Sequence, residues 1–180
     1  MLVTISGLPG SGTTTVSRML ASHYDIEMIS AGDVFRNLAK EHSMSLGQFG
    51  KLAESDPAID RMIDERQQDI ALSRDNIILE GRLAGHMAGD EALCIWLKAS
   101  RKVRVERIVG REGSSFEAKL NETIERESSE ALRYREIYDI DINDLSIYDL
   151  VIESNRWNQY QICDILKAAI DNLGGFFNEY

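Results

Sequence analysis

A three-layer α/β/α sandwich built on a five-stranded parallel sheet is the fold predicted for this chain of 180 residues. Two observations predict it. Short apolar runs alternate with helical periodicity along the whole length, and a glycine-rich turn joins the first run directly to a helix. The runs fall at 2–6, 26–30, 76–80, 92–97 and 148–153. Each is bounded by polar turns and is short, as suits strands buried on both faces and joined by right-handed crossovers.

The elements follow in order. Leu2 to Ser6 is the first strand, and Thr13 to Ser22 is a helix with Val16, Met19 and Leu20 on one face. Residues 32–73 read as almost continuous helix, interrupted near Ser43 to Gly47 and at Asp56-Pro57. That is longer than a crossover needs, and it suggests a mobile flap over a bound molecule. Residues 100–139 hold two helices broken near Gly110 to Ser115, a hairpin able to close as a lid. A helix from about Tyr160 to Leu173 completes the sandwich; Gly174-Gly175 ends it, and residues 174–180 are expected to be a frayed tail. With two prolines and no Gly/Ser-rich linker or internal repeat, residues 1–173 are expected to form a single domain.

The net charge of −10 argues against nucleic-acid polymers as partners, since phosphate backbones reward dense basic surfaces. The arginines are unevenly spread, however: Arg101, Arg104, Arg107, Arg111, Arg126, Arg133 and Arg135 lie in one stretch, which favours a small polyphosphate. Cys94 and Cys163 sit in apolar patterns and are expected to be core residues rather than a disulfide or metal site. No apolar run approaches a membrane span, and the first strand begins at Leu2, so a cytoplasmic protein without a leader is expected; a monomer is taken as the default, since the sequence does not give the oligomeric state.

Gly7-Leu8-Pro9-Gly10-Ser11-Gly12-Thr13-Thr14 follows the first strand and opens the first helix. It matches the phosphate-binding P-loop pattern GxxxxGK[ST] except at Thr13, where the pattern has lysine. Backbone N–H groups and a positive helix end still converge on one point, which binds phosphate without that lysine. Thr14, or less readily Thr15, supplies the hydroxyl for a magnesium ion.

Two further motifs follow. In Ser30-Ala31-Gly32-Asp33-Val34-Phe35-Arg36, Gly32 permits a tight turn, Asp33 could bind a magnesium-linked water, and the Arg36 guanidinium could grip an acceptor phosphate. Ser30 would bond an acceptor base or simply cap the next helix. Leu79-Glu80-Gly81-Arg82 ends the third strand, so Glu80 and Arg82 should face the cleft beyond the strands' carboxyl ends. Glu80 would support magnesium or an arginine, and Arg82 would be a second phosphate clamp.

In this order, the P-loop, SAGDVFR and LEGR motifs resemble the donor site and acceptor-phosphate arginines of the nucleoside monophosphate kinases. Val105-Glu106-Arg107-Ile108-Val109-Gly110-Arg111 looks like the start of the lid in adenylate kinases. The resemblance implies that Arg107 lies against the donor adenine and Arg111 contacts donor phosphates. Arg126, Glu130 and Arg133, at i, i+4 and i+7 on one helix face, resemble the RxxxDxxR element of cytidylate kinases, with glutamate in place of aspartate. That element implies binding of CMP and of the transferring phosphate. The run from Tyr138 to Leu145 looks like the compact archaeal-type cytidylate kinases.

The implied reaction transfers the γ-phosphate of Mg-ATP to CMP, and by extension dCMP. Gly7 to Thr15 and Arg107 would serve ATP; Ser30, Gly32, Asp33, Arg36, Arg82, Arg126, Glu130 and Arg133 would serve CMP; Thr14, and Asp33 through water, would serve Mg2+. Catalysis would fall to Arg82, Arg111, Arg126 and Arg133, with Arg111 making good the absent lysine. No general base is needed, because the attacking phosphate is already ionised. The alternatives are a kinase for AMP or another small acceptor, and a nucleotide-binding regulator without catalysis.

Overall fold

The computed structural model describes residues 1–74, 76–89 and 91–173. The predicted stop at Gly174-Gly175 and the tail 174–180 lie outside the described residues.

Five strands form: β1 (Leu2–Gly7), β2 (Glu27–Ser30), β3 (Ile77–Glu80), β4 (Leu93–Lys98) and β5 (Leu150–Glu153). All pairings are parallel and the order is β2-β3-β1-β4-β5, so β1 is central and the chain leaves it on one side before returning to the other. In such a sheet the crevice beyond the carboxyl end of the central strand is where a ligand fits.

The strands' two faces explain the two cores. Val3, Ile5, Ile95 and Leu97 point to one side, where Val16 and Leu20 of α1 (Thr13–Tyr24) meet Ile162, Cys163, Leu166 and Ile170 of α8 (Gln159–Leu173). Met19 packs at the edge of that cluster. On the opposite face Cys94 and Trp96 meet Leu83, Tyr134, Ile142 and Tyr148. The loop between residues 139 and 149 thus closes the second core with Ile142 and Tyr148, which accounts for the apolar positions in an otherwise acidic run. Cys94 and Cys163 are both buried in these cores, as expected.

The helical excursion divides into α2 (Ala31–Glu41), α3 (Leu46–Ser55) and α4 (Ala58–Ser73). The hairpin divides into α6 (Arg101–Glu112) and α7 (Phe116–Tyr138). Serine hydroxyls set four of these starts: Ser30, Ser45, Ser100 and Ser115 each accept the backbone N–H three residues on. Ser45 and Gln48 complete a reciprocal capping box. A short helix, α5 (Ala84–Met87), was not legible because four residues give no periodicity.

Among the described residues no helix is long and apolar enough to cross a membrane. Leu166 is fully buried between α1 and the sheet. Leu166→Ala should therefore cost about 2–5 kcal/mol of stability, read as a shift in the urea midpoint at unchanged slope.

Candidate active site

The loop after β1 is built to turn N–H groups outward. Gly10 has φ of 83°, and a Cβ there would lie 2.5 Å from the Arg104 carbonyl oxygen, so glycine is required both by conformation and by contact. Gly12 takes a left-handed φ of 102° and caps α1. With N–H groups facing out, the carbonyls face back, and each needs a donor.

Arginines supply most of those donors. Arg82 donates to the Gly7 carbonyl, and Arg104 Nη1 donates to the Pro9 carbonyl at 3.0 Å. Arg107 Nη1 donates to the Gly10 and Ser11 carbonyls at 3.3 and 3.2 Å. The Ser154 hydroxyl also donates to Ser11 O at 2.9 Å, and Arg107 holds the Ser154 carbonyl at 2.6 Å. Three guanidinium groups from two parts of the chain therefore converge on the back of one loop.

Hydroxyls gather at the front. Thr13 Oγ1 donates to Glu80 Oε1 at 2.6 Å and Thr14 Oγ1 donates to the same oxygen at 3.2 Å. The Ser30 hydroxyl donates to Glu80 Oε2 while accepting the Asp33 N–H. Glu80 therefore ties the head of α1 to the head of α2. Gly81 follows because a Cβ there would come within 2.8 Å of the Ala31 Cβ. Thr15 is exposed on the outer side of α1, away from this cluster. The cation expected at position 13 is thus replaced by a buried hydroxyl that is bonded to a carboxylate.

Beyond Arg82 lies a second hub. Glu130, buried on α7, accepts Arg82 Nε at 2.7 Å through one oxygen and Arg126 Nε at 2.8 Å through the other. Burial pushes its carboxyl up, but the two guanidinium groups outweigh that and hold it at about 2. Glu130 therefore stays charged at any pH at which the protein would work. Arg133 departs from the single paired face expected of 126, 130 and 133: its Nε donates to Asp60 of α4 at 2.6 Å and its Nη1 to Ser129 at 2.6 Å. The reason is that α4 brings a buried carboxylate against α7, a partner invisible in the spacing of α7 alone.

Arg126, Glu130 and Arg133 line one wall of a cleft whose other wall is Phe35, Gly50 and Lys51 of α2 and α3. Arg36 pairs with Asp33 at 2.6 Å, and Arg18 reaches the other Asp33 oxygen at 3.4 Å. Gly32 sits half-buried beside the Arg36 guanidinium, while Leu8 is half-buried against the core formed by Leu83, Trp96 and Tyr134. Arg111 is placed apart from this assembly: it is exposed on α6 and pairs with Glu112 at 2.6 Å. Arg107, expected against a base, has its guanidinium on loop carbonyls. Sequence reasoning missed Arg104, Glu127, Asp60 and Asp64 as site residues. Arg104 stood in the basic stretch, but nothing in its spacing signalled burial.

Mg2+ is taken by hard oxygen donors, commonly one or two carboxylates together with substrate phosphates. The Thr14 hydroxyl and Glu80 carboxylate, 3.2 Å apart, fit that donor chemistry. Asp33 fits it less well, because two arginines already occupy its oxygens.

The family model for the cytidylate kinase-like family matches residues 2–156. The chain belongs to that family. It is 66% identical to a cytidylate kinase of Methanococcoides burtonii over 98% of this chain and the whole of that protein. It is 49% identical to a cytidylate kinase of Pyrococcus horikoshii, covering 96% of this chain and 90% of that one. The crystal structure of shikimate kinase from Aquifex aeolicus superposes with a TM-score of 0.61 at 16% identity, covering 96% of this chain and 98% of that chain. The last likeness establishes the P-loop α/β fold.

Two carboxylates of α4 beside the site, Asp60 and Asp64, are pushed up by burial. Burial raises the Asp64 carboxyl to about 7, with the Tyr138 hydroxyl, 2.9 Å away, opposing the shift and Asp60 reinforcing it. The folded protein thus keeps a proton that the unfolded chain releases near pH 4, at about its usual value. Stability should fall as pH rises from about 4 to about 7 and level off above. Asp64→Asn should flatten that window and gain on the order of 2 kcal/mol at pH 8, seen by comparing melting temperatures of the two proteins across pH.

Proposed function

We propose that this chain is a cytidylate kinase that moves the γ-phosphate of ATP to CMP, and also to dCMP. The observation that carries the reading is Arg82. Its guanidinium touches the donor loop at Gly7 O and, through Glu130, is joined to Arg126 in the cleft between α7 and the α2–α3 pair. One cation at the seam of two sites is where a transferring phosphoryl group would need neutralisation. The names of the family relatives point to the same acceptor.

In this reading the N–H groups of Gly10 and of residues 12–14 wrap the donor phosphates. The cleft lined by Phe35, Lys51, Arg126 and Arg133 takes the acceptor nucleotide, with Arg36 and Arg82 on its phosphate. Ser30, fixed by Glu80 and capping α2, frames that phosphate side together with Gly32. An oxygen of the CMP phosphate attacks the γ-phosphorus in line; the bond from γ-phosphorus to the bridging oxygen breaks, giving CDP and ADP. Mg2+ would be held by Thr14 with Glu80 nearby, and by Asp33 through water only if that carboxylate gave up an arginine, and would offset charge on the β and γ oxygens.

Residues 1–173 act as one domain, with 32–73 as the acceptor-binding flap and about 100–139 as the lid. Closure of that lid would carry Arg111 onto the phosphates, and the adenine would lie against Arg107 where its guanidinium holds the loop carbonyls. The protein works as a monomer in the cytoplasm, taking no nucleic-acid polymer as substrate.

Two experiments test this. Coupled assay of ADP formation from Mg-ATP should show turnover with CMP and dCMP far above that with AMP, GMP or UMP; preference for AMP would move the acceptor assignment, and ATP binding without turnover would favour a regulator. Arg111→Ala should lower kcat about 10²- to 10³-fold with little change in KM for CMP, and near-normal turnover would remove Arg111 from catalysis.

A further inference from the structure

Arg104 is the most deeply buried arginine in the described structure, with 3% of its surface exposed, and it contacts no part of the acceptor cleft. Its Nε donates to the Ala99 carbonyl at 3.0 Å, just past β4. Its Nη1 donates to the Pro9 carbonyl at 3.0 Å and is paired with Glu127 of α7. Its own backbone forms the floor on which Gly10 rests. Arg101 reaches the second oxygen of Glu127 at 3.4 Å. Few sites justify burying a guanidinium this thoroughly, since its desolvation is repaid only by fixed geometry and full hydrogen bonding.

Each P-loop carbonyl belongs to the same peptide as the N–H of the next residue. A cation on the Pro9 oxygen therefore fixes and polarises the Gly10 N–H, which belongs to the face the loop offers to phosphate. Arg107 does the same through Ser11 O for the Gly12 N–H, and its bond to Gly10 O braces the turn in which the Ser11 N–H donates back to the Leu8 carbonyl at 3.0 Å. In the usual loop a lysine stands in front of the phosphates. Here the position is Thr13, and its hydroxyl is spent on Glu80.

We infer that Arg104 is a positioning residue of the donor site, holding the lysine-less loop in its phosphate-binding form from behind, with Glu127 fixing the guanidinium and coupling the α6–α7 hairpin to the loop. Arg104 touches no substrate atom; it acts through the Pro9–Gly10 peptide. The inference rests on the reading of residues 7–14 as the donor-phosphate loop and not on the identity of the acceptor.

The test is binding of ATP, and separately of inorganic tripolyphosphate, by calorimetry on the full chain with no acceptor present. Arg104→Gln should weaken both ligands by about tenfold or more, the scale of a lost charge-assisted hydrogen bond, and raise KM for ATP while KM for CMP stays within about twofold. Arg104→Lys keeps the charge but gives a single ammonium in place of a planar fork, and should weaken ATP by about threefold or more. If Arg104→Gln does not fold, Arg104→Lys decides alone. Added guanidinium at millimolar concentration should restore part of the ATP affinity of Arg104→Ala and none of that of wild type.

Unchanged ATP affinity in the folded variants would overturn the inference. So would equal losses for ATP and CMP, because they would mean a general packing defect. Wild-type protein that fails to bind ATP would overturn the donor-site reading itself, a result distinct from a variant that binds as well as wild type.

Discussion

A backbone loop that presents N–H groups to a ligand must point its carbonyls the other way, and those carbonyls must be satisfied inside the protein. The rest of this site depends on that constraint. Gly7, Pro9, Gly10 and Ser11 turn their oxygens inward, and Arg82, Arg104, Arg107 and Ser154 meet them. The glycines allow the turn; the arginines make it the stable one. The arginines arrive from the end of β3 and from α6, so the loop is held by elements on both sides of the central strand.

Buried guanidinium groups in turn dictate where buried carboxylates go. Glu127 answers Arg104, Glu130 answers Arg82 and Arg126, and Asp60 answers Arg133. Two of these four arginines, Arg82 and Arg104, are joined to α7 by its carboxylates, and the other two, Arg126 and Arg133, lie on α7 itself. That explains a long helix with so many charges and yet a buried face: Thr123, Glu130, Arg133 and Tyr134 all turn inward. An acidic net charge and an anion-binding site are compatible for the same reason. The acid is distributed over the surface and behind the arginines, while the groups that would face phosphate are N–H donors and guanidinium edges.

Much of the fold was legible because local rules agreed with it. Each apolar run became a strand within about a residue or two, and the breaks near 43–47, 56–57 and 110–115 fell where serine caps and a Pro-led helix start make them. Motif residues were legible because the P-loop and LEGR spacings place them at strand ends. What could not be read was pairing between distant elements. Asp60 and Asp64, one turn apart on α4, look like solvated helix positions, yet they meet Arg133 and Tyr138 of α7 across more than seventy residues of sequence. Arg104 looked like one more basic residue on an exposed hairpin, because burial of a charged side chain is a tertiary fact with no period of its own.

The substitution at position 13 also makes sense once its neighbours are considered. Glu80 lies directly at the head of α1, buried, with both oxygens used by Thr13, Thr14 and Ser30. A lysine at 13 would bring an ammonium into reach of that carboxylate, and a buried ion pair there would draw the charge back from the phosphates it is meant to meet. Three hydroxyls satisfy Glu80 without committing a cation to it. They also tie the loop after β1 to the first turn of α2, since Ser30 both bonds Glu80 and caps α2. Positive charge comes instead from behind the loop, at Arg104 and Arg107, and from the seam at Arg82. In this chain the Thr13 hydroxyl on Glu80 and the guanidinium groups on the loop carbonyls are parts of one electrostatic arrangement, in which cationic groups support the loop's peptide dipoles from behind.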